Sequence, residues 1–150
     1  GQTEAKGLLS TITQLEKKII SGILKKHGSI GHEDKELLLL VLNQPLKKLI
    51  EAVLESIEKY GGDTRVLFEE LNEEEKGIIA QALVGEDENL QNHELHELLV
   101  QFYKKQWKKI VADVKLKVYE AQQKNESSQI KSLLHDLDAL KIKMHKRGIS

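Results

Sequence analysis

His93 and His96, within the stretch HELHELL, come nearest to a metal-binding spacing in this sequence. Two histidines three residues apart on a helix can reach one ion from the same side. Zinc proteases instead use HExxH, whose second histidine falls one residue later so that both face the metal together. Here Glu97 occupies that later position. No third ligand accompanies the pair, and the chain has no cysteine to supply a thiolate. The expectation is therefore no bound metal, with His93 and His96 solvated at the start of a helix. His135 and His145 read as surface residues. KYGGD contains two adjacent glycines, Gly61 and Gly62, but neither the GxxxxGK[ST] nor the GxGxxG pattern of phosphate loops. It reads as a helix stop. The serines lie in loops and helix flanks without a nucleophile motif. The acidic run from Glu69 to Glu75 suits a helix start, where the dipole favours negative charge. Catalytic residues, a cofactor and a small-molecule ligand are all expected to be absent.

The aromatic residues offer a different chemistry. Trp107 is the only tryptophan, and Tyr103 and Tyr119 belong to the same predicted helix. Around them stand Lys104, Lys105, Lys108, Lys109, Lys115 and Lys117. Aromatics interleaved with lysines can stack and neutralise a single nucleic-acid strand. Tyr103 and Trp107, however, fall on an apolar helical stripe and are expected to pack inward. Tyr119 falls off the stripe and is the exposed aromatic available for contact. The charge is divided along the chain. Residues 1–103 hold 11 basic and 19 acidic groups, a net −8, and residues 104–150 hold 12 and 5, a net +7. Two solvated faces account for this most simply. The sharper alternative is a basic arm directed at an acidic protein or a nucleic acid.

These residues ride on a long segment from Asn92 to Arg147. Leu95, Leu99, Tyr103, Trp107, Ile110, Val114, Val118 and Ala121 recur at steps of three and four, which places them on one stripe of an α-helix. That helix could span about 30 residues, or roughly 45 Å. Ile130, Leu133, Leu137, Leu140 and Met144 form a near-heptad stripe on a second helix. The polar stretch QQKNESS from Gln122 to Ser128 separates the two, and the expected result is an antiparallel helical hairpin closing near Asn125. Ala121 would then lie against Ile130, Val118 against Leu133, and Val114 against Leu137. Leu116, Tyr119, Leu134 and Ile142 lie off the seam. Lys141, Lys143 and Lys146 surround Ile142.

Before Asn92 the pattern is that of a small bundle. Thr13 with Glu16 matches a capping box, followed by a stripe of Leu15, Ile19, Ile20, Ile23 and Leu24, with Gly28 and Gly31 bracketing the end. Residues 1–12 read as frayed or as a loose extra turn. The apolar run Leu37–Leu42 fits a buried strand or a buried helix; its leucine content favours helix. Pro45 suits the first turn of the next helix, which carries Leu46, Leu49, Ile50, Val53, Leu54 and Ile57 on one face and stops at Gly61. Asp63 or Thr64 opens a short helix burying Leu67, Phe68 and Leu71. Asn72 caps another that buries Ile78, Ile79, Ala82 and Leu83. The loop GEDENLQ leads to Asn92. The predicted fold is all-α, a helical bundle over residues 1–92 followed by the long helix and hairpin over 93–150.

Composition agrees. Charged residues make up 31% and aromatics 4%, with one proline, which is the balance of helical bundles. The longest run of large apolar residues is far short of the ~20 needed to span a membrane. GQTEAKG lacks the charged and apolar regions of a signal peptide. An intracellular, cytoplasmic protein is expected. Lack of an initiator methionine reads as an excised piece of a longer chain.

The order of elements, with GGDTRVLFEELNEEEKGIIAQAL, LLVQFYKKQWKKIVADVKLKVYEAQQ and SLLHDLDALKIKMHKRG, resembles the C-terminal helicase-binding domain of bacterial DnaG-type primases over about residues 13–147. The resemblance implies a non-catalytic domain of the primosome. It would tether primase to the hexameric DnaB-type replicative helicase and couple primer synthesis to the replication fork. The full-length protein would be a DNA-directed RNA polymerase, a transferase whose zinc and polymerase chemistry resides in other domains. In that family the closing hairpin is the principal helicase contact, so the resemblance implies Tyr119, Lys141, Ile142 and Lys143 as partner-binding residues. Contact with nucleic acid would be indirect or weak, and contact with membranes absent. The N-terminal bundle also resembles the N-terminal domain of the helicase, which leaves that identity as an alternative. A helical nucleic-acid-binding module using the basic half is the other.

Overall fold

The computed structural model describes residues 12–26, 30–61, 63–84 and 92–149, without the side chains of Lys26, Gln44 and residues 92–94. The expected loose N-terminus before Ile12, Gly28, Gly62, the loop over 85–91, and the His93 side chain lie outside that description. Seven helices account for nearly all the described residues, and no strand occurs among them. They are α1 (Gln14–Lys26), α2 (His32–Val41), α3 (Gln44–Tyr60), α4 (Thr64–Glu70), α5 (Glu73–Leu83), α6 (Asn92–Gln123) and α7 (Ser127–Lys146).

Local chemistry sets most of the boundaries. Ahead of α1, the Thr13 N–H donates to Glu16 Oε1 at 2.9 Å and the Glu16 N–H donates to Thr13 Oγ1 at 3.1 Å. This reciprocal pair satisfies two N–H groups that the first helical turn leaves without partners. Asn72 and Glu75 repeat the device at α5, at 2.8 and 3.0 Å. Asn43 caps α3 by accepting the Leu46 N–H, with Pro45 in the first turn where its missing N–H costs nothing. Asp63 accepts the Arg65 N–H and opens α4. Gly61 ends α3 in the left-handed region at φ 64°, which a residue with a Cβ reaches only with strain.

The apolar run Leu37–Leu42 is helical through Val41, and Leu42 is extended. Leu37, Leu38 and Val41 are buried whereas Leu40 is exposed. That alternation follows a helical period and not the period of two of a strand. Gly31 departs from the sequence reading: it is extended at φ −73° and precedes α2, so it starts that helix instead of bracketing the end of α1.

The chain divides into two compact units, residues 1–99 and 100–150, and α6 runs through the division. In the first unit α1 packs chiefly on α5, and α3 touches α1, α2 and α4. Its core holds Ile19, Ile20, Ile23 and Leu24 from α1 and all six predicted residues of α3. Leu67, Leu71, Ile78, Ile79 and Ala82 are also buried, while Phe68 and Leu83 are only half-buried. Leu95 and Leu99 complete the buried set of this unit. The second unit consists of the remainder of α6, a three-residue turn, and α7 with its short tail. Asn125 adopts φ 55° in the turn, and the Glu126 N–H donates back to the Ala121 carbonyl at 2.9 Å. The polar break is shorter than its sequence suggests, since Gln122, Gln123, Ser127 and Ser128 are helical.

Candidate partner-binding surface

Two helices expose more of their apolar surface than a bundle does, and the second unit shows the consequence. Along α6, Tyr103 and Ala121 are buried, and Trp107, Ile110, Val114 and Val118 between them are half-buried. Along α7, Ile130, Leu133, Leu137 and Leu140 are half-buried and Met144 fully buried. The positions of the predicted stripes are thus sheltered on both helices. Phe102, on the flank of the α6 stripe, is buried too, its ring 6.5 Å from that of Tyr103. Ile149 is buried after Gly148, which takes φ 80° beyond the end of α7.

Off the stripes stand four exposed large apolar side chains: Leu116, Tyr119, Leu134 and Ile142. Tyr119 is 59% exposed and Ile142 60%. The proposed contact residues Lys141, Ile142 and Lys143 occupy a single turn of α7 and are all exposed. They lie about 21–24 Å along α7 from its first residue, whereas Tyr119 is about 6 Å from the end of α6. The four residues therefore form two stations, an apolar residue between lysines on α7 and an aromatic on α6. Large apolar residues rimmed by charge are characteristic of docking surfaces.

A third feature went unread in the sequence. At 100° per residue, Lys104, Lys105, Lys108, Lys109 and Lys115 fall within an arc of about 140° on α6, and Leu116 and Tyr119 lie inside the same arc. All seven are exposed. The arc is opposite the sheltered stripe. Asp113 and Glu120 border it without entering it, and Asp113 is paired with Lys117 at 3.0 Å. The spacing of KKQWKK carried this signal, because i, i+1, i+4 and i+5 share one side of a helix.

Among the described residues no group of three or more His, Cys, Asp or Glu side chains could hold a metal ion. His96, His135 and His145 are exposed. Three titrating groups of the first unit are perturbed. Lys59 Nζ donates to Glu55 Oε1 at 2.6 Å, which lowers the Glu55 pKa and raises that of Lys59. The Arg65 backbone N–H lowers that of Asp63. Glu55 and Lys59 are exposed and Asp63 is half-buried at a helix start, so these are surface interactions of helix ends and faces. No helix among the described residues is long and apolar enough to cross a membrane. Compared with protein-family models, curated proteins and solved structures, the chain gives no match in any of the three.

Proposed function

We propose that this chain is a non-catalytic protein-docking domain whose C-terminal unit engages a larger assembly in the cytoplasm. The observation that carries the reading is the exposure of Tyr119 and Ile142 on a unit of two helices that shelter their stripe residues. Leaving large apolar side chains in water forgoes burial worth about 1.5–3 kcal/mol each. A partner that covers them recovers that energy. Together with the resemblance to the helicase-binding domain of DnaG-type primases, this supports the hexameric replicative helicase as the partner. Tyr119 and Ile142 bury area in the complex, while Lys141 and Lys143 steer the approach and set orientation.

The test is co-sedimentation with the helicase hexamer at two salt concentrations, using Ile142→Ala and the double variant Lys141→Glu, Lys143→Glu. Ile142→Ala weakens binding at both concentrations, because burial is little affected by ionic screening. The double variant weakens it more at low salt, because charge steering is screened. Undiminished binding by both folded variants refutes this placement of the contact.

A further inference from the structure

We propose that the outer face of α6, from Lys104 to Tyr119, is a weak track for single-stranded nucleic acid. It shares Tyr119 with the docking surface but none of Lys141, Ile142 and Lys143, and its test through the α6 lysines can fail while the docking reading stands. Five lysines crowd an arc that no acidic residue enters between Lys104 and Tyr119, the nearest carboxylate on that side being Glu97, about two turns before Lys104. None of the five is ion-paired among the described residues. Like charges at this density repel one another and are relieved by a polyanion.

The arrangement favours phosphate over the other anionic surfaces. Protein interface cores are depleted of lysine and enriched in aromatics. Here four lysines come first and no large apolar side chain enters the arc until Leu116. Helices that lie on lipid turn their apolar face to the membrane, but the apolar stripe of α6 is the sheltered side. A single strand needs cations along its backbone and an aromatic face for a base. The lysines supply the first over about 16 Å of helix, and Tyr119 stands about 6 Å beyond Lys115 with its ring exposed. Tyr103 and Trp107, the more obvious stacking candidates in the sequence, are buried and half-buried respectively.

Counterion release sets the expected behaviour. Five phosphate contacts to a single strand give a slope of log K against log salt of about −3.5, so affinity falls about 100-fold between 50 and 200 mM salt. The experiment is fluorescence anisotropy of a labelled 20-nucleotide oligothymidylate with the 150-residue chain across that range. A blunt duplex, vesicles of anionic lipid and polyglutamate serve as comparison ligands. Replacing Lys104, Lys105, Lys108 and Lys109 by Gln leaves one lysine and brings the slope to about −0.7. Tyr119→Ala weakens oligothymidylate binding about fivefold or more with the slope unchanged. Circular dichroism checks that each variant keeps its helix content. An unchanged slope in the four-lysine variant overturns the proposal. So does duplex binding as tight as single-strand binding with Tyr119→Ala without effect, or a preference for vesicles or polyglutamate over the oligonucleotide.

Discussion

Truncating three apolar residues of α7 tests whether its sheltered stripe holds the C-terminal unit together. Met144 is fully buried, Leu137 is half-buried and Leu134 is nearly half exposed. Met144→Ala removes a fully buried side chain and is expected to cost about 2–5 kcal/mol. Leu137→Ala gives up roughly half the buried area of a core leucine, and water can enter the space it leaves. Its expected cost is about 1–2 kcal/mol. Leu134→Ala removes a side chain off the stripe and should cost under about 0.5 kcal/mol. The assay is urea denaturation followed by Trp107 fluorescence, since the only tryptophan lies in this unit. Far-UV circular dichroism follows both units together. Two compact units can unfold separately, so the fluorescence transition is analysed by itself. The ranking Met144 > Leu137 > Leu134 is the result the burial pattern requires. Equal costs for Leu137 and Leu134 would refute the division of α7 into a sheltered stripe and an open face.

Other consequences follow from the first unit. Gly61→Ala forces a Cβ into the left-handed region at φ 64° and should lower stability by about 1 kcal/mol in the same denaturation assay, read by circular dichroism. Ser56 is buried and its Oγ makes no hydrogen bond, so Ser56→Ala should leave stability unchanged or raise it by about 1 kcal/mol. Asp63 has its pKa lowered by the Arg65 N–H, so its contribution is present above the ordinary aspartate value and lost as pH falls through the lowered one. Asp63→Asn keeps an acceptor at the cap and should reduce the loss of thermal stability across that acidic window.

The features most legible in the sequence were those set by neighbouring residues. The Thr13–Glu16 box, the Asn72 cap and the Gly61 stop each depend on two or three residues and stand where the sequence placed them. The six-residue face of α3 was equally readable, because one period of 3.6 describes it. The off-stripe exposure of Leu116, Tyr119, Leu134 and Ile142 follows from the same arithmetic. Phe102 was readable but absent from the predicted stripe: it stands three residues after Leu99 and seven after Leu95, on the flank of the same buried face. Gly31 was misplaced because glycine signals a helix end and an N-cap alike. The break at QQKNESS was read too wide, since glutamine and serine are tolerated in terminal helical turns and only Asn125 needs a left-handed conformation. The lysine face of α6 was present in the letters KKQWKK. The four lysines share a side because i, i+1, i+4 and i+5 fall within one arc of a helix, while Trp107 between them faces the sheltered stripe.

Association with the helicase tests the central claim most directly. The 150-residue chain is mixed with the replicative helicase hexamer of the same organism, and the mass of the eluting species is measured by light scattering after size exclusion. The docking reading predicts a complex heavier than the hexamer, and loss of that added mass when Tyr119→Ala and Ile142→Ala are combined in a chain that keeps its helix content. A hexamer that elutes unchanged beside the free chain, at low salt and at concentrations of tens of micromolar, would contradict it.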